Sequence, residues 1–288
     1  MRTTGKNLAE LKSGGFIPQK QKNRFSLRLK IIGGSISVEQ LHALLRITDE
    51  FGAGHIHLTS RQSVEIPFVK LRDVAKIQEA MKKNGLEPGC IGPGIRTITA
   101  CQGNTVCACG LINSGDIARA IDSQFGALRL PHKFKIGVTG CPNNCLKVEA
   151  NDLGVKGAIV PDWTPDACVY CGLCAKICPV KAITVQDNSL TYDKNNCIHC
   201  GKCVKRCPKS SWSETVGYLF FFGGTFGNNL RFGQPFLPVI TKKKSLLRVI
   251  DCTLAFFAKH GKSGERFAFT LERIGWNAFV DHLRSLKL

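Results

Sequence analysis

The sequence predicts an α+β fold interrupted by a cysteine-rich insert. Three observations carry that expectation. Residues 24–90 switch between β-rich and helical periodicity in the order β-α-β-α. Residues 166–208 contain the pattern C-x-x-C-x-x-C-x-x-x-C-P twice, which marks a self-contained unit. An apolar β-pattern returns at Val216–Phe222, so the insert interrupts a domain and does not follow one.

Residues 1–20 read as an extended or weakly ordered lead-in. Arg24–Ile32 alternates polar and apolar residues and ends at Gly33-Gly34, as a strand does before a turn. Val38–Phe51 has the apolar spacing of a helix, with Ser37 placed as its N-cap and Gly52 as its stop. His55–Pro67 reads as two strands around Thr59-Ser60-Arg61. Leu71–Asn84 reads as a second amphipathic helix, closed by Gly85. Together these form a ferredoxin-like unit over residues 1–90. Gly92-Pro93-Gly94 marks a boundary. Ile95–Ala100 then reads as a strand, Ile112–Phe125 as a helix, and Lys133–Thr139 and Asp152–Val160 as strands. Pro161–Pro165 reads as a linker. Helices are expected near Ser245–Lys259 and Glu265–Leu286. The expected domains are therefore residues 1–90, residues 91–165, an insert at 166–208, and residues 209–288 completing the interrupted domain.

The chain has 288 residues, enough for one large or two to three smaller domains, and at 43% hydrophobic it can bury a core. No apolar run is long enough to span a bilayer, and MRTTGKNLAELKSGG has no apolar signal segment. A cytoplasmic location without a membrane span is expected. There, 15 cysteines point to metal ligation before disulfides. The formal net charge of +19 commonly serves nucleic-acid or membrane contact. Here the basic residues are scattered, Lys242-Lys243-Lys244 is the only tight run, and no basic stripe is interleaved with aromatics. Nucleic acid is not an expected partner. Compensation of bound anions accounts better for the excess, since a four-iron cluster on four thiolates carries roughly −2.

Twelve of the 15 cysteines fall into three sets of four. Eight lie in the insert, as Cys168, Cys171, Cys174 and Cys178, then Cys197, Cys200, Cys203 and Cys207. This is the bacterial ferredoxin run, in which the fourth cysteine ligates the other cluster. One [4Fe–4S] cluster is expected on Cys168, Cys171, Cys174 and Cys207, and one on Cys197, Cys200, Cys203 and Cys178. Two tetrathiolate zinc sites would need neither this spacing nor a proline after the fourth cysteine of both copies. The remaining set pairs Cys101 with Cys107 and Cys141 with Cys145, each pair following a strand pattern. Two such loops can close on a third cluster; the competing reading is four scattered buried thiols. Cys90, Cys109 and Cys252 read as small buried residues.

The segments A-C-Q-G-N-T-V-C and T-G-C-P-N-N-C resemble the paired motifs of the siroheme-dependent sulfite and nitrite reductases. Leu27-Arg28-Leu29-Lys30 with Gly33-Gly34 is similar to that family's first strand. His57-Leu58-Thr59-Ser60-Arg61-Gln62 is similar to its L-T-x-R-Q segment. Leu130-Pro131-His132-Lys133-Phe134-Lys135 is similar to its L-P-R-K-F-K segment, with His132 in place of the arginine. Glu265-Arg266-Phe267 and Leu271-Glu272-Arg273-Ile274-Gly275 resemble its closing helix. The likeness covers residues 24–160 and 212–285. It is nearest to the catalytic (siroheme) component of anaerobic sulfite reductases and to small sulfite-reductase-like proteins of anaerobes.

The resemblance implies an α/β siroheme domain, interrupted by a two-cluster ferredoxin domain, that reduces sulfite to sulfide by six electrons. It implies that Cys101, Cys107, Cys141 and Cys145 hold a [4Fe–4S] cluster, with the Cys145 thiolate bridging to siroheme iron. It places Arg28, Arg96, Lys133 and Lys135 around the substrate, and Arg61, Thr59, Gln62 and Asn143 against siroheme; His55, His57 and His132 carry no assignment. A small oxyanion needs several fixed cations with hydrogen-bond donors. Arginine anchors it through a planar fork, and lysine can also pass protons. Lys133 and Lys135 alternate along a strand and so face one side. Nitrite suits the same cage, but retention of all four basic residues favours sulfite. A carrier or sensor lacking siroheme is the reading from another class, against which the intact Cys145 and complete cage speak. No dinucleotide fingerprint or flavin motif occurs, so a separate donor, a flavoprotein subunit or a ferredoxin, is expected. The longer relatives hold two copies of this unit and the chain holds one. A homo-oligomer is therefore expected, with the cage reaching a neighbouring protomer's siroheme.

Overall fold

The computed structural model describes residues 5–286. Local signals place its N-terminal half. The Gln40 amide donates to the Ser37 hydroxyl at 3.1 Å and the Ser37 amide donates to the Gln40 side chain at 3.2 Å. This capping box starts α2 (Val38–Phe51), which buries Ala43, Leu44 and Ile47. α3 (Val74–Lys83) follows a short 3-10 turn at Leu71–Asp73 and buries Ile77 and Met81. Both share a core with an antiparallel sheet built from β1 (Phe16–Pro18), β2 (Arg24–Arg28), β3 (His57–Leu58) and β4 (Val64–Lys70), in the order β1-β2-β4-β3.

The expected lead-in is in fact structured. Gly5–Ser13 forms helix α1, and β1 pairs with β2. Leu8 and Leu11 pack on the core and Phe16 is fully buried, three contacts too sparse to show as periodicity. Residues 1–4 of that segment lie outside the described residues.

A second core belongs to a five-stranded mixed sheet. Its members are β6 (Thr99–Ala100), β8 (Ile136–Thr139), β9 (Leu153–Trp163), β12 (Trp212–Phe222) and β13 (Gln234–Ile240), in the order β13-β12-β9-β8-β6. β6, β8 and β9 run parallel, and β12 is antiparallel to its neighbours. α4 (Ser114–Phe125), α7 (Lys243–His260), α8 (Phe267–Ile274) and α9 (Trp276–Arg284) supply the rest of the core. Phe222 and Phe279 meet edge-on at 5.0 Å, and Phe134 and Phe267 lie 5.3 Å apart. Each such ring contributes about 2–3 kcal/mol through burial.

Several expected elements change at this sheet. The strand expected at 95–100 is two, β5 (Gly94–Ile95) and β6, in different sheets. The strand expected at 133–139 is likewise split into β7 (Lys133–Phe134), paired with β5, and β8, paired with β6. The break falls at Lys135, whose amide donates to the Asp152 carboxylate at 2.8 Å and not to a strand. The expected linker at 161–165 is corrected in part: β9 continues to Trp163 and pairs with β12 from Leu153↔Phe222 to Trp163↔Trp212. The long closing helix is two helices, divided at Gly275, whose φ of 101° a helix does not adopt. β13 had no clear sequence signal.

The insert therefore extends from the end of a long β-hairpin. It contains α5 (Leu173–Ile177), a hairpin of β10 (Ile183–Gln186) and β11 (Ser189–Tyr192), and α6 (Lys202–Arg206). Its two cysteine runs repeat one backbone: Tyr170 and His199 have φ of 50° and 56°, and Gly172 and Gly201 have 71° and 68°. Among the described residues no helix is long and apolar enough to cross a membrane.

Candidate functional site

Parallel strands β6 and β8 end side by side, and each releases the chain into a cysteine loop. The Gly140 amide donates to Cys101 Sγ at 3.0 Å, which joins the two loops. The Ser114 hydroxyl lies 3.4 Å from the same sulfur. Burial pushes the Cys101 thiol up, but these donors outweigh it and hold the thiol below its ordinary value. Burial pushes the Cys141 thiol up, and neighbouring Cys145, Cys101 and Cys107 add to the push. All four sulfurs thus share one neighbourhood. Cys141 is buried, while Cys107 and Cys145 are exposed.

The turn between Cys141 and Cys145 is fixed from below. Asn144 adopts a left-handed φ of 53°, and its side-chain amide donates to Glu149. Glu149 also pairs with Lys156 at 2.6 Å. Burial pushes the Glu149 carboxyl up, yet Lys156 and Asn144 prevail and hold it below the usual carboxylate range. Asn143 is exposed beside Cys145.

In the insert, Cys168, Cys171, Cys174 and Cys207 line one cavity. Three come from the first run and one from the second. Around the other set, Tyr192 stands beside Cys197 and close to Cys203 and Cys178; burial and these thiols push its hydroxyl up. Burial pushes Cys203 up to about 12, with Cys197 and Cys200 adding to it. Backbone amides donate to sulfur at Cys178, Cys197 and Cys207, at 3.3, 3.4 and 3.3 Å. Such donors suit thiolates, which accept and do not donate. Among the described residues no three Cys, His, Asp or Glu side chains converge on a single-ion site.

The basic residues gather at the opposite end of β6 and β8. Arg28, Thr59, Arg61, Cys90 and Arg96 line one cavity. Arg28 pairs with Glu65 through Nε at 2.7 Å and Nη2 at 2.5 Å. Arg96 donates to the Cys90 carbonyl at 2.5 Å. Lys133 and Lys135 are half-buried and flank Phe134, which is wholly buried, so both point away from the core. Burial pushes Lys135 down, helped by Arg61, Arg266 and Lys133 and opposed by Asp152. Arg96 is pushed down by burial, with Arg28 and Arg266 acting the same way. His132 is pushed down by burial, then by Lys133, Arg266 and Arg96. These groups therefore feel one another as a single electropositive field.

Three of the expected cofactor contacts also brace the protein. Arg61 donates to Asn151 Oδ1 at 3.1 Å, to the Thr97 carbonyl at 2.8 Å and to the Ile136 carbonyl at 3.3 Å. Its Nε is buried without a partner, and burial pushes its pKa down to about 10. Gln62 exchanges two bonds with the Ala100 backbone, at 3.0 and 2.9 Å, just before Cys101. Thr59 accepts the Ser63 amide at 3.1 Å. Asn143 lies away from them, in the cysteine loop.

Arg266 and Asp152 were not among the expected site residues. Arg266 stands in the Glu265-Arg266-Phe267 segment, which offered a signal; a single aspartate before a strand offered none. The expectation that the three leftover cysteines are buried is corrected: Cys109 is exposed, and Cys90 and Cys252 are half-buried.

The family model for the nitrite and sulphite reductase 4Fe-4S domain matches residues 91–287. That for the nitrite/sulfite reductase ferredoxin-like half domain matches residues 17–84. The chain is 33% identical over 257 residues to the coenzyme F420-dependent sulfite reductase of Methanocaldococcus jannaschii, covering 88% of this chain and 41% of that protein. It is 28% identical over 178 residues to one polypeptide of the anaerobic sulfite reductase of Salmonella typhimurium, covering 57% of this chain and 52% of that polypeptide. The crystal structure of dissimilatory sulfite reductase I matches the fold with a TM-score of 0.71 at 20% identity, covering 90% of this chain and 69% of that one. The chain thus spans about half the length, or less, of these two curated relatives.

Proposed function

The chain belongs to the nitrite and sulphite reductase family, and from that premise we propose that it reduces sulfite to sulfide by six electrons at a siroheme coupled to a [4Fe–4S] cluster. One observation carries the reading: four neighbouring thiols and a cationic cavity are built on the same pair of parallel strands. The residues present fit the groups required. Amide and hydroxyl donors prepare Cys101 as a thiolate, and Cys145 is exposed where a second group would attach. The unpartnered Arg61 Nε is a buried donor awaiting an acceptor such as a siroheme carboxylate. When bound, siroheme supplies an electron-rich iron for the sulfur of sulfite, and the clusters supply stored electrons.

The chain's own groups then divide the work. Arg28 and Arg96 orient the oxyanion, and Glu65 holds Arg28 in place. Lys133 and Lys135 donate protons to oxygens that leave as water. Lys135 suits this best, because burial and neighbouring cations make it release its proton more readily. Thr59, Gln62 and Asn143 complete the proposed siroheme contacts.

The insert serves, in this reading, as the electron supply, with one [4Fe–4S] cluster on each cross-paired thiol set. A flavoprotein subunit or a ferredoxin would reduce it. The cage and the loops supplying Cys145 lie at opposite ends of β6 and β8: Arg96 precedes and Cys101 follows β6, and Lys135 precedes and Cys141 follows β8. At about 3.3 Å per residue that separation is at most roughly 15–20 Å. It supports a homo-oligomer in which the cage of one chain faces the siroheme of another.

Turnover of sulfite and nitrite by anaerobically purified protein, with reduced methyl viologen as donor, tests the reading. Sulfite consumption matched by sulfide is expected. Faster turnover of nitrite at matched affinity would move the assignment to nitrite, and turnover of neither would refute it.

A further inference from the structure

The two cysteine runs of the insert repeat one another, yet they meet the rest of the molecule differently. Gly172 and Gly201 occupy the same place in the two runs, directly after Cys171 and Cys200, with φ of 71° and 68°. Nothing lies within 4 Å of where a Cβ on Gly172 would sit, whereas a Cβ on Gly201 would meet Ile159 Cδ1 at 2.3 Å. The Ile159 amide also donates to the His199 carbonyl at 2.9 Å. The second run is therefore pressed against β9, and the first is open at the equivalent position.

β9 orders the thiol sets along one line. Trp163 pairs with Trp212, which lines the cavity of Cys168, Cys171, Cys174 and Cys207. Ile159, four residues along the strand, carries the His199–Gly201 loop. Gly157, two residues further, abuts Gly140, where a Cβ would meet the Gly140 carbonyl oxygen at 2.3 Å. Gly140 immediately precedes Cys141. At about 3.3 Å per residue the two steps along β9 are roughly 13 and 7 Å. At the outer cavity, Cys171 is exposed and Val169 is 57% exposed.

Resting on the reading that each thiol set holds a [4Fe–4S] cluster, we propose that the His199–Gly201 loop on Ile159 is the contact through which the insert passes electrons to the Cys141 loop. The set of Cys168, Cys171, Cys174 and Cys207 then faces the outside donor. Each crossing moves one electron and no bond or proton. The group held by Cys197, Cys200, Cys203 and Cys178 is oxidised by one electron. The group held by Cys101, Cys107, Cys141 and Cys145 is reduced by one. An external reductant, dithionite in the test, restores the insert.

A matched pair of variants separates this contact from backbone strain. Gly201→Ala and Gly172→Ala add the same methyl at the same left-handed backbone, and Ile159 is what differs. Both full-length proteins and the parent are purified anaerobically, and iron and labile sulfide are counted. Freeze-quench electron paramagnetic resonance then follows cluster reduction by dithionite and the magnetic coupling between clusters. Gly201→Ala is expected to lose the fast phase of reduction at the Cys141-loop cluster and to weaken its coupling to the insert. Gly172→Ala is expected to keep both. Ile159→Ala, which opens the contact from β9, serves if Gly201→Ala does not fold, and should show the same loss. Equal behaviour of the two glycine variants, or loss confined to Gly172→Ala, overturns the proposal. An insert without iron in the parent protein overturns it together with the reading beneath, and the iron count shows that case separately.

Discussion

Arg266 closes on the wholly buried carboxylate of Asp152 through N–H···O bonds of 3.2 and 2.8 Å. The same carboxylate accepts the Lys135 amide, so one buried acid fixes both the start of α8 and the strand break between the two cage lysines. Asp152→Ala would strand a guanidinium whose side chain is only 13% exposed. A loss of about 3–5 kcal/mol is expected, read from denaturant unfolding. Asp152→Asn, which retains the shape and an acceptor, should lose less. A loss below about 1 kcal/mol for the alanine variant would show that the pair does not brace the site.

Glu265 gives a pH-dependent counterpart. Its carboxylate accepts from the Arg273 side chain, the Thr270 hydroxyl and the Lys262 amide. Arg273 above all holds its pKa down to about 2, against an ordinary value of 4.5. A carboxyl depressed on folding adds stability that is complete above the unfolded value and lost as pH falls through the folded one. The difference in Tm between the parent and Glu265→Gln should be constant above pH 4.5 and shrink as pH falls from there toward 2. A difference that grew on acidification would contradict the assignment.

A substitution at Lys135 tests the proposed division between anchoring and proton delivery. Lys135→Arg keeps the charge but removes a donor able to release its proton. Its KM for sulfite should stay near the parent value while kcat falls about 100-fold. Arg28→Ala and Arg96→Ala should instead raise KM. A Lys135→Arg enzyme with unchanged kcat would remove Lys135 from proton delivery.

Arg61 is expected to matter to folding as well as to binding. Arg61→Met strands the Thr97 and Ile136 carbonyls and the Asn151 side chain, at an expected cost of about 2–4 kcal/mol. Thermal denaturation of the protein before cofactor loading measures it. An unchanged Tm would assign Arg61 to cofactor binding alone.

How far the sequence reveals this architecture depends on the range of each signal. Ser37 and Gln40 announce α2 because a capping box is made of neighbours in sequence. The two runs of the insert are legible for the same reason. The split of residues 133–139 is not, because it depends on Asp152, seventeen residues away, taking the Lys135 amide. The continuation of β9 through Pro161 is hidden too, since Glu214 opposite that proline arrives only after the insert. The four basic residues were legible only through their motifs. Their shared field also involves Arg266, which stood in a matching motif without a role, and Asp152, which stood in none.

The most direct test of the account is the absorption and low-temperature paramagnetic resonance spectrum of anaerobically purified protein, alongside that of Cys145→Ala. Siroheme bands in the Soret and near-infrared regions are expected in the parent, magnetically coupled to a [4Fe–4S] cluster. The coupling should be lost in Cys145→Ala, while the signals of the insert persist. A fully reconstituted parent without siroheme bands, or a coupling that survives the loss of Cys145, would contradict the account.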